Sequence, residues 1–267
     1  QIARLYAATD ATRYQGVYGG VLTLGGAVGF LAAPPLVDVP ALLPGGVGGV
    51  VHTVGGVAAL LAVALSLRES GETAPGRTNP AGSSWGVLGN PVVLLAGLSY
   101  VAIIGSYITL STFVTAYYTE LGVVGPLNAF VLVTATIGRS LGGVTVGSSL
   151  TSDALLIGGG VAVAAGSFGV LAIGPPAWLV VVLPVVAMLA VSLPFGAIFA
   201  VAGRATRAEG TALAFVVAAG NLAALVLPAV TGALYDATGG YGAGFALLAA
   251  INAAAVAAAL SLHVRDV

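Results

Sequence analysis

Residues 154–203 read ALLIGGGVAVAAGSFGVLAIGPPAWLVVVLPVVAMLAVSLPFGAIFAVAG, a run with no charged side chain between Asp153 and Arg204. A helix of about 20 apolar residues crosses the hydrocarbon core of a bilayer, so this run suffices for two crossings, with a turn near Pro175. The whole chain has the same character: of 267 residues, 58% are hydrophobic and 6% are charged. Its mean hydropathy is +1.08, and a soluble domain carries roughly 25% charge. Water is therefore not the solvent for most of its surface, and the expected fold class is an all-α polytopic membrane protein.

Working outward with Gly, Pro and charge clusters as boundaries, the sequence predicts eight transmembrane helices, near 16–37, 45–67, 91–118, 125–148, 154–173, 177–201, 209–235 and 241–264. Every basic residue is an arginine, and all but one fall in alternate gaps. Arg4 and Arg13 precede the first span, Arg68 and Arg77 follow the second, Arg204 and Arg207 follow the sixth, and Arg265 follows the eighth. The gaps near Asp38, Glu120, Pro175 and Asp236 hold none. Because cytoplasmic loops accumulate Arg and Lys, the expectation is a multi-pass protein of the cell membrane with both ends of the chain cytoplasmic. Trp85 and Trp178 stand near span starts, where an indole suits the interface. The exceptional arginine, Arg139, sits inside an apolar run.

Several classes of function are disfavoured. There is no cysteine, hence no disulfide framework or thiolate metal site. A net charge of −1 excludes a basic nucleic-acid surface. The chain has no lysine for a P-loop, no HExxH and no paired aspartates within a span, and His52 and His263 lie in different regions, so neither an enzyme nor a cofactor is expected. Gln1–Tyr14 lacks the layout of a secretory signal and reads as an internal segment.

Much of the glycine, 40 residues in all, recurs at four-residue spacing, as in Gly25/Gly29, Gly45/Gly49, Gly138/Gly142 and Gly143/Gly147. Such spacing lets helix backbones approach closely in lipid. An internal repeat is also present: a shift of 194 residues aligns Ala11-Thr12-Arg13 and Gly16 with Ala205-Thr206-Arg207 and Gly210. The same shift aligns Gly26 with Gly220, Leu31 with Leu225, Pro34 with Pro228, and Gly45-Gly46 with Gly239-Gly240. It superposes the first two spans on the last two, which makes the repeat unit six helices of one orientation. That is the plan of a major facilitator transporter, two six-helix halves around a central site. Residues 1–67 then correspond to the end of the first half, 68–90 to a cytoplasmic linker rich in Gly, Pro, Ser and Thr, and 91–267 to the second half. On this plan about four helices of the same polypeptide are expected upstream.

Two short motifs sharpen the resemblance. Leu98–Phe113, LSYVAIIGSYITLSTF, is similar to the seventh helix of the nitrate/nitrite porter branch of the major facilitator superfamily. Gly138-Arg139-Ser140-Leu141-Gly142-Gly143 resembles the Arg-Ser-x-Gly-Gly segment of that branch's eighth helix. The resemblance implies alternating-access transport of a small anion, with Arg139 binding it and Tyr100 lining the same cavity. The chain departs from the branch at Gly147, where an acidic residue is usual, and at Gly25-Gly26, where the branch has Gly-Asn. The seventh span does contain Gly220-Asn221.

Spacing alone places Arg139 and Tyr100 each about 14 Å from the cytoplasmic ends of their helices, at matching depth. Burying an arginine in a bilayer costs roughly 2.5–3.5 kcal/mol, so such residues face a wet cavity or a partner. No span interior offers an Asp or Glu, which leaves an anionic substrate as one partner for Arg139. Guanidinium suits a planar oxyanion because its fork donates two parallel hydrogen bonds. The other reading ends the helix early and lets Arg139 snorkel to the headgroups; Arg139 is then structural, in a facilitator for a neutral or organic solute. Asn221 either contacts substrate or bridges two helices, Tyr100 either lines the site or is packed, and His52 either packs or relays protons. Without carboxylates in the spans, anion exchange is easier to build than proton symport.

Overall fold

The computed structural model describes residues 19–21, 23–25, 27–28, 53–58, 60–61, 64–65, 84–123, 127–145 and 152–265. The chain divides into two compact units, one of residues 28–78 and one of the remainder. In the smaller unit the described residues between 53 and 65 are helical, as expected of the second span, and Val54, Val57, Leu60, Leu61 and Leu65 are exposed. His52 and the linker through residue 83 lie outside the described residues.

In the larger unit, the described residues among 19–27 are helical. A 3₁₀ helix, Ser84–Gly89, occupies the end of the expected linker and buries Val87. It delivers the chain to α1 (Pro91–Glu120), where the Asn90 side chain accepts from the Val92 and Val93 N–H groups at 2.9 and 3.4 Å and Pro91 takes the first helical position. There follow α2 (Leu127–Thr145) and α3 (Asp153–Ala172), the latter capped by Ser152. Next come α4 (Ala177–Ser192), α5 (Phe195–Arg204), α6 (Glu209–Thr238), ended by Gly239 at φ 73°, and α7 (Gly242–His263). Five of these helical stretches, counting α4 and α5 as one, are long and apolar enough to cross a membrane, and α2 contributes a shorter apolar helix. Among the described residues there is no strand. The protein is an all-α, multi-pass membrane protein.

One expected span is interrupted. The stretch 177–201 breaks at Leu193-Pro194 into α4 and α5, because Pro194 has no N–H for the Ala190 carbonyl and its ring crowds that group. The break is seated against glycines. A Cβ at Gly160 would lie 2.7 Å from the Ala190 carbonyl oxygen, one at Gly138 would lie 2.8 Å from that of Leu189, and one at Gly142 would run into the Leu193 carbonyl. The four-residue spacing of Gly138/Gly142 thus does on α2 what small residues do at helix contacts in lipid. Gly25, by contrast, has open space at its Cβ position, and Gly29, Gly45, Gly49 and Gly147 lie outside the described residues.

Side-chain contacts sort the helix ends into two groups. Asn90 Nδ2 donates to the Ala205 carbonyl at 2.8 Å, and Arg204 pairs with Asp153, which joins the starts of α1 and α3 to the end of α5. At the opposite end Tyr235 donates to Glu120 at 2.6 Å, and Tyr118 donates to the Val181 carbonyl at 2.9 Å. The first end also holds the Arg207 turn and the close of α7 at Arg265, while the other holds Glu120 and Asp236. Helix neighbours show an internal exchange as well. The packing of α1 on α6 has its counterpart in α4 on α2, that of α1 on α7 in α4 on α3, and α3–α7 is its own counterpart. These pairs relate α1–α2–α3 to α4/α5–α6–α7, two triplets that start at opposite ends.

Candidate functional site

Arg139 lies on α2 six residues before its end at Thr145, and its side chain is 2% exposed. α2 runs on for six residues beyond Arg139, and the arginine side chain is packed inside the protein. Its guanidinium carbon stands 4.6 Å from the ring centre of Tyr107 and 4.3 Å from that of Phe195. One terminal nitrogen donates to the Gly19 carbonyl at 3.2 Å, while the buried Nε–H has no partner. Among the described residues no carboxylate pairs with it.

Each neighbour is placed by an identifiable local cause. Phe195 is the first residue after the Pro194 break, so the interruption that seats α4 against Gly138 and Gly142 also swings an aromatic ring over the adjacent Arg139. Tyr100 and Tyr107, seven residues apart on α1, share one face. Tyr107 reaches Arg139, and Tyr100 packs on Phe195 and Phe199 with ring centres 6.1 and 5.1 Å away. Behind Tyr100 stands Gly220 of α6, where any Cβ would enter the ring. The Gly19 carbonyl approaches because Gly19 and Gly20 carry no side chains: a Cβ at Gly19 would be 2.8 Å from Phe195, and one at Gly20 2.8 Å from Ser140 Oγ. Thr23 and Thr136 share a hydrogen bond of 2.9 Å along the same contact.

The site thus unites Arg139 and Tyr100 through Phe195. Asn221 is not part of it: it is exposed on α6, and among the described residues it makes no hydrogen bond. Three members were not singled out from sequence. Tyr107 had a signal, its spacing of seven from Tyr100, and Gly19-Gly20 had one in the glycine pair itself. Finding Phe195 would have required placing a helix break at Pro194, which the continuous apolar composition does not mark.

The chemistry open to this arrangement is that of a cation kept dry. Two aromatic faces contribute about 0.5–2 kcal/mol each, and a hydrogen bond from a charged donor about 1.5–3, sums comparable with the roughly 2.5–3.5 kcal/mol of holding arginine at bilayer depth. Ring faces stabilise the charge without consuming N–H groups, and a guanidinium has five of them. With one hydrogen bond made, the cluster retains donors for an oxyanion. Comparison of the chain with protein-family models and with curated proteins finds no match, so its function is read from this chemistry.

Proposed function

We propose that the chain belongs to a secondary transporter of the major facilitator type that moves a small inorganic oxyanion such as nitrate or nitrite by alternating access, with Arg139 as the anion-binding group. The observation that carries the reading is the buried guanidinium of Arg139, flanked by Tyr107 and Phe195, with an unpartnered Nε–H and no carboxylate beside it among the described residues. A cation so placed favours an anion over a neutral solute, and rings in place of carboxylates leave no competing negative charge. The architecture supports the same reading. Two helix triplets of opposite start with exchangeable neighbours fit one six-helix half of such a transporter, and a second half would form the opposite wall of the site. The end carrying Arg204, Arg207 and Arg265 is the cytoplasmic one by its basic residues.

Asn221, exposed on α6, fits as a polar residue that faces the second half, because an amide in the middle of an exposed apolar helix is disfavoured against lipid. A second reading has support in one contact: the Arg139–Gly19 hydrogen bond ties α2 to the helical residues 19–27, the role of a structural arginine in a facilitator for a neutral solute. Uptake into proteoliposomes holding the polypeptide that carries this chain separates the two. Nitrate or nitrite should enter faster when the vesicles are preloaded with a counter-anion. Movement of a neutral solute with no anion flux would favour the second reading.

A further inference from the structure

Tyr107 covers Arg139 with the face of its ring, whose centre lies 4.6 Å from the guanidinium carbon. A cation–π contact uses the face alone, so the phenol oxygen, in the ring plane at its rim, stays clear of it. Tyr107 stands at the middle of the 30-residue α1, about 20 Å of helix from either end. At such depth a phenol needs a partner. Tyr118, farther along the same helix and buried, donates to the Val181 carbonyl at 2.9 Å. The Tyr107 hydroxyl makes no hydrogen bond among the described residues, and Tyr107 is only half-buried, so its oxygen is open to whatever lies outside the packed helices. Acyl chains offer no acceptor there, and a hydroxyl held against them is unfavourable.

Arg139, beside it, defines the partner that would fit. A guanidinium only donates, and here one terminal nitrogen is engaged by the Gly19 carbonyl, while the Nε–H and the other terminal nitrogen make no hydrogen bond among the described residues. A charged set of donors and a neutral one therefore stand unspent at one contact. We infer that the Tyr107 hydroxyl is a second binding group for the anion, donating a hydrogen bond to it alongside the guanidinium, an inference that rests on the reading of Arg139 as the anion-binding group. A planar oxyanion suits the pair, with one edge on the free side of the guanidinium fork and a further oxygen on the phenol. The phenol is neutral, so it adds a donor without adding a charge that would compete with the anion for Arg139.

Tyr107→Phe tests it in proteoliposomes holding the polypeptide that carries this chain, with nitrate as the probe, because phenylalanine keeps the ring over Arg139 and removes only the hydroxyl. The half-saturating nitrate concentration should rise at least about tenfold, the equivalent of one hydrogen bond to a charged group. The maximal rate and the Tm in detergent should stay near those of wild type. Tyr107→Leu, which removes the ring as well, should also lower Tm, and so separates the role of the ring from that of the hydroxyl. Wild-type uptake of nitrate with an unchanged half-saturating concentration in Tyr107→Phe would overturn the inference and leave Arg139 as the anion-binding group. A Tm loss in Tyr107→Phe as large as in Tyr107→Leu would overturn it as well, by giving the hydroxyl a role in the fold. Absence of nitrate uptake by the wild-type protein is a different failure, that of the anion reading itself, and removes this inference with it.

Discussion

Replacing single glycines with alanine at three places probes how α2 is seated against the break between α4 and α5. In a helix interior, Gly→Ala gains about 0.8–1.0 kcal/mol from propensity alone. Gly159 on α3 has open space at its Cβ position, so Gly159→Ala should keep that gain. At Gly138 the new methyl lies 2.8 Å from both the Leu189 carbonyl oxygen and Ser192 Cβ, so the facing helix α4 has to give way. Overpacking costs about 1–3 kcal/mol, which makes Gly138→Ala neutral to about 2 kcal/mol destabilising. At Gly142 the obstacle is the Leu193 carbonyl, backbone that no rotamer change can move. There the cost reaches the top of the range, a net loss of about 2 kcal/mol or more. Gly159→Ala and Gly142→Ala should therefore differ by about 3 kcal/mol, or about 6–12 °C in Tm for a chain of this size. Thermal unfolding of the purified chain in detergent, followed by tryptophan fluorescence, measures the order. Equal midpoints for Gly142→Ala and Gly159→Ala would refute the proposed docking of α2 on the helix break.

Phe195→Leu removes one ring from Arg139 and the contacts of that ring with Tyr100 and Phe199, and should destabilise by about 1–3 kcal/mol, whereas Phe195→Tyr should be close to neutral by the same unfolding measurement. Asn90→Ala deletes the α1 cap and its bond to the Ala205 carbonyl, an expected loss of about 1–2 kcal/mol, visible also as faster amide exchange at Val92 and Val93. Arg204→Gln breaks the pair with Asp153, but because Arg204 is 52% exposed the loss should stay below about 1 kcal/mol and shrink further in high salt, as seen in Tm at two ionic strengths.

Span positions were legible because apolar run length and punctuation by Gly, Pro and charge are one-dimensional quantities. Helices expected at 91–118, 154–173, 209–235 and 241–264 appear as Pro91–Glu120, Asp153–Ala172, Glu209–Thr238 and Gly242–His263. The break at Leu193-Pro194 was not anticipated, since apolar composition continues across it and membrane helices often tolerate proline through neighbouring contacts. Here those contacts come from Gly138, Gly142 and Gly160, whose relation to Pro194 exists only in three dimensions. The site was half legible. Arg139 and Tyr100 were marked by residue type and depth, and they meet on Phe195. The partner oxygen of Arg139 belongs to the backbone of Gly19, and a carbonyl carries no signature in the residue letters. Asn221 was a candidate by residue type alone, and its position on α6 turns it away from the buried face formed by Gly220, Ala223, Leu227 and Thr231.

The central claim is that Arg139 binds the transported anion through paired N–H donors, and Arg139→Lys tests it most directly because lysine keeps the charge and loses the planar fork. In proteoliposomes holding the polypeptide that carries this chain, the lysine variant should take up nitrate or nitrite at least about tenfold more slowly than wild type, the equivalent of one lost charge-assisted hydrogen bond. Its Tm in detergent should change little by comparison, which separates binding from folding. Uptake at the wild-type rate by a correctly folded Arg139→Lys protein would contradict the claim and leave Arg139 a structural tie between α2 and the carbonyl of Gly19.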